Sequence, residues 1–233
     1  MIGSPRVHRR VVDSTNERAK ALAATGAPHG TLVTCDEQTA GRGRQGRSWR
    51  APRGTALLCS VVVRGTVEGA TPLPLAAAVA VGEACEALGA AEVAIKWPND
   101  VLIGGRKVAG ILVEGRPQDG WAVVGVGLNV TAAPEELDAT ATSLHEGSGR
   151  PVTPASALAA LLPALDARLA EPREAGLAAW RARDALLGSA VRWAGGAGTA
   201  AGVSSAGDLL VDTPAGREEL SAGEVHLEAA RPS

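Results

Sequence analysis

The chain has 233 residues, 45% of them hydrophobic, and a formal charge of −2 at pH 7. That is enough for one large domain, or a domain with a small appendage, and it excludes a broadly basic nucleic-acid surface. The aromatics are five Trp with no Phe or Tyr, so Ala, Val, Leu and Ile must build the core, and the usual base-stacking platforms are missing.

In chain order, residues 7–13 read as a short strand. Ser14 and Glu17 then have capping-box spacing ahead of a helix that ends at Gly26. Ser14 and Thr15 are either that cap or ligand contacts. Residues 30–35 are a β-rich run, Pro52 and Gly54 mark a turn, and 55–63 read as a buried strand. Residues 71–88 form an apolar helix, with Pro72 and Pro74 at its start and Gly89 at its end. Strands follow at 93–97, 101–103 and 107–114. Gly104 and Gly105 make a hairpin signal between the last two, and a strand at 121–130 comes after a Gly/Pro/Asp turn. In that last strand Val124, Val126, Leu128 and Val130 alternate with Val123, Gly125, Gly127 and Asn129. One face belongs to a core, and the other is bare enough for a ligand to lie against it. Helices at 154–170 and 173–187 come next. From Gly188 short strands with Gly-rich turns suggest a small β-barrel. The predicted domains are therefore 1–187 and 188–233.

Cys35, Cys59 and Cys85 are odd in number and sit in apolar contexts, which suggests free thiols in a reducing cytoplasm. The four histidines show no metal-ligand spacing. No signal peptide and no membrane span are expected.

Residues 41–50 hold three glycines, four arginines and no acid. Such a segment has little reason to order itself, because glycine ordering is costly and like charges repel. A multivalent anion reverses that balance, since guanidinium pairs bidentately with phosphate. The loop is expected to be mobile when empty and ordered around phosphate. Its Gly41-x-Gly43-x-x-Gly46 spacing matches a dinucleotide fingerprint, but no helix opens after it and no P-loop occurs anywhere. Farther on, Lys96 and Lys107 interrupt apolar β-runs, where a lysine snorkels, pairs or is used. Asn99 and Asp100 after Pro98 make an Asx turn, or Asp100 holds Mg²⁺ through water beside a polyphosphate.

Taken together, DSTN (13–16), EQTAGRGRQGRSW (37–49), KWPND (96–100), KVAGILVE (107–114) and GVGLNV (125–130) closely resemble, in order, the motifs of biotin protein ligases. With only about a dozen residues before DSTN, the resemblance is to the monofunctional type without an N-terminal DNA-binding domain. It implies an α+β fold: a class II synthetase-like mixed sheet with helices, plus a C-terminal SH3-like barrel. It also implies a cytoplasmic enzyme that uses MgATP to convert biotin to biotinyl-5′-AMP, releasing pyrophosphate. The biotinyl group then passes to a lysine of the biotin carboxyl carrier domain of acyl-CoA carboxylase. No DNA partner and no membrane are implied, and the family includes both monomers and homodimers.

By that similarity Ser14, Thr15, Asn16, Gln38 and Gly41 contact biotin, with Gly110 letting it approach the strand. Arg42, Arg44 and Arg47 serve the carboxylate and phosphates. Trp49, Lys96, Asn99 and Asn129 belong to the nucleotide, Trp49 covering the adenine and Asn129 holding that end. Asp100 is the metal-side residue. Lys107 bridges the biotin carboxylate and the α-phosphate, and Lys107 and Arg44 are the catalytic pair. Arg217 in the C-terminal module is expected to serve solubility. Two rivals stand beside this reading: a lipoate–protein ligase of the same superfamily, and a nucleic-acid binder whose arginine loop grips backbone phosphates.

Overall fold

Seven strands form one mixed sheet in the computed structural model, which describes residues 1–65, 70–116, 119–132, 134–221, 223 and 225–227. Strand β1 (Arg6–Val12) runs parallel to β2 (Leu32–Gln38), which pairs antiparallel with β3 (Ala56–Arg64). The antiparallel order then continues through β7 (Trp121–Asn129), β6 (Arg106–Arg116), β5 (Asp100–Ile103) and β4 (Val93–Lys96). Gly104 and Gly105, with φ of +54° and +75°, turn β5 into β6. Two consecutive positive φ values are what a type I′ hairpin requires and what glycine supplies without strain. Parts of the expected C-terminal module, residues 222, 224 and 228–233, lie outside the described residues, as do 117–118 of the turn before β7.

The two faces of this sheet differ because its strands alternate. Toward one side β3, β6 and β7 point Leu57, Cys59, Val61, Ile111, Val124, Val126 and Leu128, all buried. Helices α2 (Leu73–Ala87) and α4 (Pro154–Ala170) cover that side. Helix α2 is buried continuously from Leu75 to Gly82, so it is apolar all round rather than amphipathic. On the other side α1 (Thr15–Ala24) is the helix that lies down, with Ala19 and Ala23 against Val33, Val62, Trp121 and Val123. The rest of that face is a trough floored by Gly110, Gly125 and Gly127. Each Val-sized side chain omitted there forgoes about 1.5–3 kcal/mol of burial.

Two helix expectations are corrected. Ser14 is the N-cap of α1, but its side chain makes no capping bond. The Glu17 carboxylate pairs with Lys20 and Arg42, and the Ser14 N–H it would have reached donates to Asp13 Oδ1. Helix α5 (Arg173–Arg181) stops well short of 187. Ile95 N–H donates to Arg183 O and Ala185 N–H to Ile95 O, so the chain leaves the helix to cover the edge of β4. An open β edge is a liability that such pairing removes. A short helix α3 (Leu144–Ser148), not expected, is capped by Ser143.

The C-terminal strands β8 (Ala190–Trp193), β9 (Gly196–Val203), β10 (Leu209–Thr213), β11 (Gly216–Leu220) and β12 (His226–Leu227) form a second, antiparallel sheet. Its order, β11-β10-β9-β8-β12, is open among the described residues, where a closed barrel was expected. Its turn docks on the first sheet: Trp97 Nε1 donates to Gly207 O at 3.0 Å, and Gly207 packs so closely on Pro72 and Leu75 that a Cβ there would meet both at 3.0 Å. Among the described residues no helix is long and apolar enough to cross a membrane.

Candidate active site

Strand register builds the trough floor. Lys96, Asp100, Gly110, Gly127, Leu58 and Cys35 stand in one row across six strands and face the same way. The neighbouring row holds Leu112, Gly125, Ser60 and Val33. Over these rows lie the start of α1 and the arginine loop.

At the α1 end the groups are polar, buried or half-buried, and paired with one another. Thr15 donates to Gln38 Oε1 through its N–H (2.7 Å) and its hydroxyl (3.1 Å). Ser60 Oγ lies 2.6 Å from Asn16 Oδ1 and 2.8 Å from Thr15 Oγ1. Asn16 Nδ2 donates to Leu112 O and to Glu114 Oε2. Ser14, Thr15 and Asn16 are all buried. Gly125 is obligatory beneath Asn16, because a Cβ there would come within 2.0 Å of Asn16 Oδ1.

The loop between β2 and β3 is a small hairpin. Arg42 bridges Ser48, Gly43 N–H donates to Arg47 O, and Trp49 N–H donates to Gly41 O. Gln45 takes φ +55°, a left-handed conformation unusual outside glycine. Gly41 is needed at the base of the loop, since a Cβ would meet Trp49 O at 2.4 Å and Gln38 Nε2 at 2.8 Å. Arg42 turns to Glu17 and Glu114, and a hydrogen bond from Lys20, then the one from Arg42, hold the Glu17 carboxyl below its ordinary value of 4.5. Arg44 donates to Asn99 Oδ1 at 3.3 Å. Burial pulls its pKa down, against the pull of Asp100. Arg47 is exposed and has a partner of its own.

Trp49 lies flat on the floor. A Cβ at Gly127 would stand 2.5 Å from its ring and one at Gly110 3.1 Å away. Its Nε1 is buried without a hydrogen bond. Lys107 Nζ sits 5.7 Å from the ring centroid, a cation–π distance. The same Nζ is 2.7 Å from Asp100 Oδ1, an ion contact rather than a hydrogen bond, because that buried oxygen meets no donor at a bonding angle. Asn99 is held by donation of its Nδ2 to Ile111 O, and Asn129 by donation of its Nδ2 to Thr142 O. Lys96 is half-buried opposite Asp100 in the register. Beside this end a cavity of about 280 Å³ is lined by Arg44, Trp97, Asn99, Asp208 and Ser221, between the two sheets.

The structure thus gathers Thr15, Asn16, Gln38, Gly41 and Gly110 with Lys107, Arg44, Asn99, Asp100 and Trp49 along one trough. Arg42 is engaged at the polar end, apart from the Lys107–Asp100 pair. Sequence reasoning missed Ser60 and Glu114. The available signals were a hydroxyl inside the apolar run of β3 and an acid ending KVAGILVE. The three thiols take no part: all are free and buried, with Cys35 pushed up to about 11 and Cys59 and Cys85 to about 12.

Residues 8–130 match the model of the Biotin/lipoate A/B protein ligase family. A biotin--[acetyl-CoA-carboxylase] ligase of Mycobacterium tuberculosis is 43% identical, the match covering 92% of this chain and 86% of that protein. One from Paracoccus denitrificans is 39% identical over 91% of this chain and 96% of its own length. The biotin protein ligase of Aquifex aeolicus, solved in complex with biotin and ATP, superposes with a TM-score of 0.83 at 31% identity, covering 97% of this chain and 100% of that one.

Proposed function

Since this chain belongs to the biotin/lipoate A/B protein ligase family, we propose that its trough joins biotin to ATP and passes the biotinyl group to a carrier lysine, as a biotin protein ligase. One observation carries the choice of substrate. One end of the trough is lined by hydrogen-bonding groups, the buried Ser14, Thr15 and Asn16 and the half-buried Gln38, while the far end carries the cations Lys107 and Arg44. A cyclic urea has the carbonyl and N–H groups that such an end can pair, and a dithiolane ring has neither. A site built for hydrogen bonds rejects a ligand lacking them by about 10⁴–10⁵-fold.

In the first step a biotin carboxylate oxygen attacks the α-phosphorus of ATP, forming the acyl–phosphate bond as pyrophosphate leaves. Two anions must approach, so cations have to stand where charge gathers. Lys107 supplies one between carboxylate and α-phosphate once phosphate oxygens replace Asp100 as its partner. Arg44 supplies the second, and Arg47 and Lys96 face the leaving phosphates. Trp49, flat on Gly110 and Gly127, is the wall against which biotin and then the adenine pack. Asn99 and Asn129, already fixed by bonds to Ile111 and Thr142, border the nucleotide. In the second step the carrier amine attacks the acyl carbon and AMP leaves. The arginine loop, ordered around the adenylate, keeps water from the mixed anhydride meanwhile.

The residues present fit Mg²⁺ as a shared ion. Among the described residues no cluster of three metal-binding side chains exists; Asp100 offers a buried carboxylate oxygen whose contact is the Lys107 ammonium, which phosphate oxygens would draw away. Magnesium binds through few carboxylates, waters and substrate phosphates. It would neutralise charge on the leaving pyrophosphate.

The carrier is the biotin carboxyl carrier domain of an acyl-CoA carboxylase. Residues 1–187 form the catalytic domain, and 188–233 an SH3-like module that walls the cavity by which the carrier lysine approaches. The protein works in the cytoplasm. Pyrophosphate release measured with ATP plus biotin, or ATP plus lipoate, tests the reading. Release with biotin is expected; release with lipoate alone would overturn it.

A further inference from the structure

The polar end of the trough holds more order than ligand contact needs. Ser60 is fully buried in the middle of β3, beneath Thr15 and Asn16. Glu114, at the far side of Asn16, accepts from Asn16 Nδ2 and Lys20 Nζ and lies 3.4 Å from Arg42. Ser60 has no exposed surface, and Glu114 is turned to Asn16, Lys20 and Arg42.

Their effect is to fix the orientation of the Asn16 amide and to turn the Thr15 hydroxyl proton away from the trough. A carboxylate and a carbonyl only accept. Asn16 must therefore aim its NH₂ at Glu114 and Leu112, which leaves Oδ1 facing Ser60. Ser60 has a single proton, and the 2.6 Å contact assigns it to Asn16 Oδ1. Thr15 then spends its own hydroxyl proton on Ser60 or on Gln38, and keeps lone pairs for the trough. Gln38 Oε1 is taken by Thr15 N–H in either case, so its NH₂, beside Gly41, remains a donor.

We propose that Ser60 and Glu114 are positioning residues that hold Thr15 and Asn16 in one donor–acceptor pattern, and so make the enzyme selective for a ureido ring. The inference rests on the biotin reading above. Buried polar networks specify a single arrangement only when every member is paired. Removing the Ser60 hydroxyl leaves Asn16 Oδ1 a buried acceptor without a donor, and a ligand that donates where biotin accepts then gains a partner.

The test compares biotin with 2-iminobiotin, in which an imino nitrogen able to donate replaces the ureido oxygen. In Ser60→Ala the KM for biotin is expected to rise about tenfold, the cost of one stranded buried group. The KM for ATP should stay within about twofold, and the preference for biotin over 2-iminobiotin should shrink by about the same tenfold factor. Equal weakening of both ligands, or an unchanged KM for biotin, overturns the proposal. Glu114→Gln is the second variant should Ser60→Ala fail to fold. A glutamine both donates and accepts, so Asn16 can flip and the preference should narrow again. Wild-type enzyme that shows no biotin-dependent ATP–pyrophosphate exchange would sink the biotin reading itself. A normal wild type with undiminished preference in the variants sinks only the lock.

Discussion

The two ends of the trough are prepared in opposite ways. At the α1 end Thr15, Asn16, Ser60 and Gln38 orient one another, which leaves the Gln38 NH₂ and Thr15 lone pairs set for a ligand. At the other end Lys107 leans on Asp100, Arg44 on Asn99, and Trp49 keeps an indole N–H without a partner. Those pairings are ones a phosphate can take over. Recognition of a neutral ring gains from preorganisation, because unpaired buried dipoles are costly. Binding polyphosphate instead needs cations that are held in place by partners weaker than the substrate.

Breaking the reactive end should cost most. Lys107→Ala is expected to slow adenylate formation by roughly 10²–10³-fold, the usual effect of losing one electrostatic stabiliser. Single-turnover formation of biotinyl-AMP measures it, and a near-normal rate would mean that Asp100 holds Lys107 for structural reasons alone.

Next comes the floor between the ends. Gly127→Val adds a Cβ that would stand 2.5 Å from the Trp49 ring, so the ring must lift. Overpacking of this kind costs about 1–3 kcal/mol, and calorimetry should find biotin binding weaker by about that amount. Undiminished affinity would show that the trough does not run over Gly127.

Arg44→Gly should act on retention rather than on recognition. Its biotin affinity should fall less than in Gly127→Val, while adenylate escapes and labelling of bulk protein lysines rises severalfold, a loss of order 1 kcal/mol in retention. Unchanged bulk labelling would remove the loop's role as a lid.

The smallest effect belongs to Glu17, whose exposed pair with Arg42 is worth less than about 1 kcal/mol. Glu17→Gln should leave chemistry nearly intact and increase tryptic cutting at Arg42–Arg50. The pH dependence has a definite sign. The folded pKa lies below the ordinary 4.5, so this anchoring is fully present above that value and is lost as pH falls through the lower folded one. Faster nicking already at pH 7 in the wild type would show that Glu17 does not hold the loop.

Much of this architecture was legible from the chain because its causes are local. The Gly104-Gly105 turn, the Pro and Gly bounds of α2, and the bare Gly125/Gly127 side of β7 follow from dihedral preference and a period of two. The site motifs were equally visible, and their order along the chain pointed to one family. Other features depend on residues brought together from far along the sequence. Glu17 has capping-box spacing, yet Arg42, 25 residues away, claims it. A helical run past Arg181 yields to the edge of β4, where Arg183 O and Ala185 N–H pair with Ile95. Ser60 reads as one polar residue in an apolar strand until register sets it beside Val33 and Gly125 and under Asn16. Local preference sets the elements, but which groups share a buried space is a property of the packed sheet. There the cost of an unpaired polar atom outweighs the few tenths of a kcal/mol that local signals carry.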